Sequence, residues 1–127
     1  EGQMDAGPIL LQRTCAIRPE DNAGSLHDRL AALGAAALAD AARILAAGGG
    51  CWVPQDPAKV SLAPKLGDAD CRVELAGDPV SLVNRIRGLS PVPGAYLTLA
   101  DGQRVRLLKA EARAGAGPAG TILAMSS

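Results

Sequence analysis

A triple glycine followed closely by three prolines constrains this chain more than any other feature. Gly48-Gly49-Gly50 ends whatever regular structure precedes it, because glycine is the usual residue just past a helix C-terminus. Pro54, Pro57 and Pro64 then keep residues 52–64 out of helix interiors and central strands. The 127 residues therefore read as two bodies, 1–51 and 65–127, joined by a linker over 52–64. That length suffices for one modest domain or for parts of two. With one Trp, one Tyr and no Phe, any core must be aliphatic and alanine-rich.

In the first body, Ile9 to Ile17 starts as a continuous apolar run and reads as a strand of a covered sheet, stopped by Pro19. Asp21 or Asn22 offers a helix N-cap. Leu26, Leu30, Leu33, Ala37, Ala41, Ile44 and Leu45 then recur at three- and four-residue steps, which predicts a long amphipathic helix with Gly34 as a point of kinking or splitting. In the second body the pattern predicts a short strand over 71–75, a turn at Gly77-Asp78-Pro79 and a helix from Val80 to about Gly88. Pro91–Gly94 forms the next turn. The alternating runs on either side of Asp101-Gly102 predict a hairpin. Thr121–Met125 reads as a further strand.

Formal charge is zero, but it is unevenly spread. Residues 1–64 carry five basic groups against seven acids, whereas residues 80–127 carry Arg85, Arg87, Arg104, Arg106, Lys109 and Arg113 against Asp101 and Glu111. A basic end on a neutral chain attracts polyanions locally. Arg104 and Arg106, two apart on a predicted strand, share one face. Cys15, Cys51 and Cys71 show no C-x-x-C spacing and read as reduced thiols of a cytoplasmic protein. No apolar run is long enough for a bilayer, and no metal-ligand spacing is present.

Two segments carry more than composition. Met4-Asp5-Ala6-Gly7-Pro8-Ile9-Leu10 places a carboxylate in a Gly/Pro turn at the start of an apolar run. Asn84-Arg85-Ile86-Arg87-Gly88-Leu89-Ser90-Pro91-Val92-Pro93-Gly94-Ala95-Tyr96 is a basic helix ending in a Pro-x-Pro-Gly turn. Taken alone, Asp5 reads as an Asx-turn or capping residue. In this order and spacing the two segments resemble the methionyl-tRNA formyltransferase family. Ser61-Leu62-Ala63-Pro64-Lys65-Leu66 is similar to that family's linker signature.

The resemblance implies a C-terminal fragment. It would hold the last strand and helix of a Rossmann-like formyltransferase domain (1–51), the linker (52–64) and the beginning of an OB-like barrel (65–127). It also implies formyl transfer from 10-formyltetrahydrofolate to the amino group of methionyl initiator tRNA, in a monomeric cytoplasmic enzyme. Asp5 takes the place of the aspartate in an Asn/His/Asp constellation, and Gln3, Met4, Asp5 and Gly7 fall in the folate loop. Lys65, Arg85, Arg87, Arg104 and Arg106 are the implied tRNA contacts, alternatives for these being a solvated face. The family's asparagine and histidine lie upstream, so the chain alone is expected to be inactive. His27 follows Asp5 and reads as a solvated helix residue. Two alternatives remain: a folate-dependent sugar formyltransferase or formyltetrahydrofolate hydrolase, and a tRNA-binding module without chemistry.

Overall fold

The computed structural model describes residues 5–113, 115 and 117. Its elements are α1 (Ala23–Ala46), a 3-10 turn (Pro57–Lys59), α2 (Asp68–Cys71), α3 (Pro79–Leu89), β1 (Ala95–Thr98) and β2 (Arg104–Leu107). The chain forms two compact units. One comprises the described residues up to Arg18 together with Leu26–Pro64; the other comprises Pro19–Ser25 and the described residues from Lys65 onward. The expected strand over 121–125 lies outside the described residues.

Helix α1, whose first residues up to Ser25 fall in the second unit and whose remainder falls in the first, begins with a reciprocal cap. The Asn22 side-chain oxygen accepts from the Ser25 N–H at 2.9 Å, while the Ser25 hydroxyl accepts from the Asn22 N–H at 3.1 Å. It ends in a Schellman motif: the Gly49 N–H reaches the Ile44 carbonyl, the Gly48 N–H reaches the Leu45 carbonyl, and Gly48 sits at φ +71°. The helix runs unbroken through Gly34. One glycine costs about 1 kcal/mol in a helix, and the alanines around it and the two caps outweigh that. None of its residues is buried, and Leu30 and Leu45 of the apolar stripe stay about half exposed.

Residues 9–17 differ from expectation. They form no strand, and Ile9 alone makes a bridge, exchanging backbone hydrogen bonds of 2.8 and 2.9 Å with Val53. An apolar run becomes a strand only where a ladder partner exists. Here the following stretch is held to α1 by side chains. Arg13 pairs with Asp40 at 3.0 Å, and Arg29 donates to the Ala16 carbonyl at 2.6 Å.

The second unit has a small core of Cys71, Val73, Ile86, Leu89 and Ala95, each at most 6% exposed, with Leu82, Tyr96, Leu107 and Ala110 packed around it. Helix α3 supplies Ile86 and Leu89 from one face. Pro79 starts it, and Asp78 caps it by accepting from the Ser81 N–H at 2.7 Å. The two strands form an antiparallel hairpin pairing Tyr96 with Arg106 and Thr98 with Arg104. It is closed by Asp101-Gly102, with Gly102 at φ +84°. The expected strand over 71–75 is reduced to one parallel bridge, Arg72 to Tyr96, because Cys71 already belongs to α2.

Pro19–Ser25 packs within this unit. Arg87 donates to the Pro19 and Asp21 carbonyls at 3.2 and 3.1 Å, and the Gly24 N–H donates to the Ser90 carbonyl at 3.2 Å. Gly24 also lies against the Pro91 ring, where an added Cβ would come within 2.7 Å of ring carbon Cδ.

Candidate functional site

The turn around Asp5 is built from backbone outward. Asp5 sits at φ +57°, the left-handed region that aspartate tolerates better than most residues. The unusual angle thus falls on Asp5 itself and not on Gly7. Gln55 fixes the turn: its side-chain amide donates to the Asp5 carbonyl at 2.8 Å and to the Gly7 carbonyl at 2.7 Å. These bonds occupy backbone oxygens and leave the carboxylate alone. The Asp5 side chain is exposed and makes no hydrogen bond or ion pair among the described residues. A turn clipped by Gln55 therefore presents an unpartnered carboxylate. Gln3 and Met4 lie outside the described residues. His27 is exposed on α1.

The second unit gives its basic residues different jobs. Arg87, half buried, donates to the Asn84 side chain at 2.9 Å as well as to the Pro19 and Asp21 carbonyls, so it stitches Pro19–Ser25 to α3. Arg106 donates to the Pro91 carbonyl and, at 3.3 Å, to the Pro93 carbonyl. Its guanidinium fills the space beside Gly94, where an added Cβ would lie 2.8 Å from Nη2. Gly94, at φ +94°, suits a backbone angle that side chains rarely adopt, and an added side chain there would displace the Arg106 guanidinium.

Arg104 makes a two-pronged pair with Asp68, Nη1 to Oδ1 at 2.8 Å and Nη2 to Oδ2 at 3.0 Å. Its guanidinium carbon lies 4.3 Å above the centre of the Tyr96 ring, and the Tyr96 hydroxyl donates to the same Asp68 carboxylate at 2.9 Å. The Arg104 hydrogen bonds, followed by that from Tyr96, hold the Asp68 carboxyl below its usual range. Desolvation, reinforced by the hydrogen bond to Asp68, pushes the Tyr96 phenol upward. Asp68 carried no signal in the sequence, and Tyr96 was legible there only as part of a turn motif.

Arg85 donates to the Asp70 carbonyl at 2.8 Å and, with Arg72, lines an open groove of about 660 Å³ that also carries Glu74 and Asp78. Lys65 and Arg72 are exposed and form no ion pair among the described residues. Hence the structure brings Arg104 and Arg106 together along one groove, of about 460 Å³, and sets Arg85 in another. Among the described residues no His/Cys/Asp/Glu group could hold a metal ion, and no helix is long and apolar enough to cross a membrane.

Residues 65–127 match the family described as formyl transferase, C-terminal domain. The methionyl-tRNA formyltransferase of Dinoroseobacter shibae is 42% identical over 127 residues, covering 97% of this chain and 40% of its own length. Those of Anaeromyxobacter dehalogenans and of an Arthrobacter species are each 44% identical, over 92% and 84% of this chain and 38% and 34% of theirs. The chain thus spans about two fifths of the length of these curated relatives.

Proposed function

Because this chain is homologous to methionyl-tRNA formyltransferase and carries a formyl transferase C-terminal domain, we propose that it serves formyl transfer from 10-formyltetrahydrofolate to the amino group of methionyl initiator tRNA. The single observation that carries the catalytic side is the exposed, unpartnered Asp5 carboxylate on a turn clipped by Gln55. Formyl transfer passes through a tetrahedral oxyanion and moves a proton from the attacking amine. A carboxylate that holds and supports a protonated histidine serves both needs. This chain's one histidine, His27, lies exposed on α1, so the chain by itself is expected to be inactive and the partner groups to come from elsewhere in the enzyme.

In this reading residues 65–127 are the early part of an OB-like barrel that holds tRNA in the cytoplasm. Residues 1–51 are the end of a Rossmann-like catalytic domain, with Asp5 and Gly7 in the folate loop, and residues 52–64 are the linker. Lys65, Arg72 and Arg85 are the groups best disposed toward phosphates, being exposed cations of the second unit without carboxylate partners. Arg106 acts on binding through the shape of the Pro91–Gly94 turn, and Arg87 through the seating of Pro19–Ser25 on α3.

The test is a chimera in which the upstream part of the Dinoroseobacter shibae enzyme is joined to this chain. Formylation of methionyl-tRNA at a rate within about tenfold of the parent supports the proposal. A folded chimera that formylates a sugar nucleotide, releases formate, or binds tRNA without chemistry would assign the chain to one of the rival activities.

A further inference from the structure

We propose that the Tyr96–Arg104–Asp68 cluster is a stacking platform for an unpaired nucleobase, so that this unit reads a single-stranded nucleotide in addition to phosphates; the inference rests on the RNA-binding reading above. Three features of the cluster carry it. First, the Arg104 guanidinium is contacted on two sides. Its N–H edge is held by both Asp68 oxygens, and one face is covered by the Tyr96 ring. Second, the remaining surface is open: 58% of the Arg104 side chain stays exposed, and it lines the 460 Å³ groove. Third, that groove has the mixed character a base needs. Leu66, Pro93 and Gly94 supply apolar walls, while Arg106, tied to the Pro91 and Pro93 carbonyls, stands at the same hairpin face.

An exposed ion pair contributes little to stability, so a structural role explains this arrangement poorly. A guanidinium used only as a phosphate clamp would also keep its fork free, whereas here a carboxylate already occupies both prongs. What the cluster leaves available is the flat, cationic face of Arg104. Planar guanidinium groups stacked on tyrosine are suited to receiving a base, whose π-face meets the cation while its own edge remains free for the groove. Asp68 and Tyr96 are then positioning residues, and Arg104 makes the contact.

The experiment uses the full 127-residue chain and two probes: a short single-stranded oligoadenylate, and the same oligomer with abasic ribose at its central positions. Binding is followed by fluorescence anisotropy, with intact initiator tRNA as a third ligand titrated against salt. Arg104→Lys keeps the charge and removes the plane. It is expected to weaken binding of the base-bearing oligomer about tenfold, to leave the abasic oligomer unchanged, and to preserve the salt slope. In the unmodified chain, oligoadenylate should move the Arg104 Nε–H resonance upfield by ring current, a readout independent of any variant's folding. An Arg104→Lys chain that binds base-bearing and abasic probes with the same affinity ratio as wild type would overturn the platform. So would an unmoved Arg104 resonance at saturation. If salt-dependent tRNA binding survives either result, the RNA reading stands and the platform alone fails. Absence of binding to any RNA defeats both.

Discussion

Gly94→Ala tests the internal logic of the second unit most severely. Alanine at φ +94° is strained by about 1–3 kcal/mol. Its methyl would also lie 2.8 Å from Nη2 of Arg106, closer than real Cβ atoms come, and 3.0 Å from Cζ, a tight contact. The guanidinium must move, and its bonds to the Pro91 and Pro93 carbonyls are lost, which adds about 1–2 kcal/mol. The expected total is about 2–5 kcal/mol, a large share of what holds a small unit together. Arg106→Ala alone should cost only the second part, about 1–2 kcal/mol. Because the clash needs both side chains, the double variant should be less destabilised than the sum of the singles by about 1 kcal/mol. Urea unfolding followed by circular dichroism on the four proteins gives this coupling. Additivity to within about 0.5 kcal/mol would refute the claim that Gly94 exists to seat Arg106.

Two further perturbations address the turn and the cluster. Gln55→Ala frees the Asp5 and Gly7 carbonyls and should lower kcat of the chimeric enzyme about tenfold with little change in tRNA affinity, since displacing a catalytic group by a fraction of an ångström is costly; unchanged kcat would show that the turn holds without the clip. The pH dependence follows from the cluster. Asp68 titrates below its usual range because of Arg104 and then Tyr96, so its small stabilising contribution is present above about pH 3.9 and disappears as pH falls through the lower folded-state value. Tyr96 is raised, so its contribution is present below about pH 10 and is lost as pH rises through the folded-state value. Since the chain has one tyrosine, absorbance at the phenolate band reports Tyr96 directly; its midpoint should exceed that of free tyrosine and fall in Asp68→Asn.

What the sequence revealed and what it concealed differ by range. Signals carried by adjacent residues were legible. Gly48 ended α1 in a Schellman motif, Asn22 capped it, Asp101-Gly102 closed the hairpin, and α3 formed where the basic helix was expected. Signals that need a partner far along the chain were not. The run from Ile9 looked like a strand because apolar runs do, yet it finds a ladder partner only at Val53. Arg87 and Arg106 were legible as charge, while the carbonyls they grip lie 66 and 15 residues away at Asp21 and Pro91 and leave no mark in composition. Gln55 sits in a proline-rich stretch with no motif at all, and still fixes the turn that carries Asp5. Gly34 misled in the other direction, since the alanines beside it keep the helix continuous.

The central claim is that Asp5 contributes its charge to formyl transfer, and one substitution isolates that charge. Asparagine matches aspartate in size and also tolerates φ +57°, so Asp5→Asn leaves the backbone turn and its bonds to Gln55 in place. Single-turnover formylation by the chimera should then slow by on the order of a hundredfold or more, with the dissociation constant for methionyl-tRNA unchanged. A rate near that of the unsubstituted chimera, accompanied by a lower melting temperature, would contradict the account and leave Asp5 as a turn-forming residue.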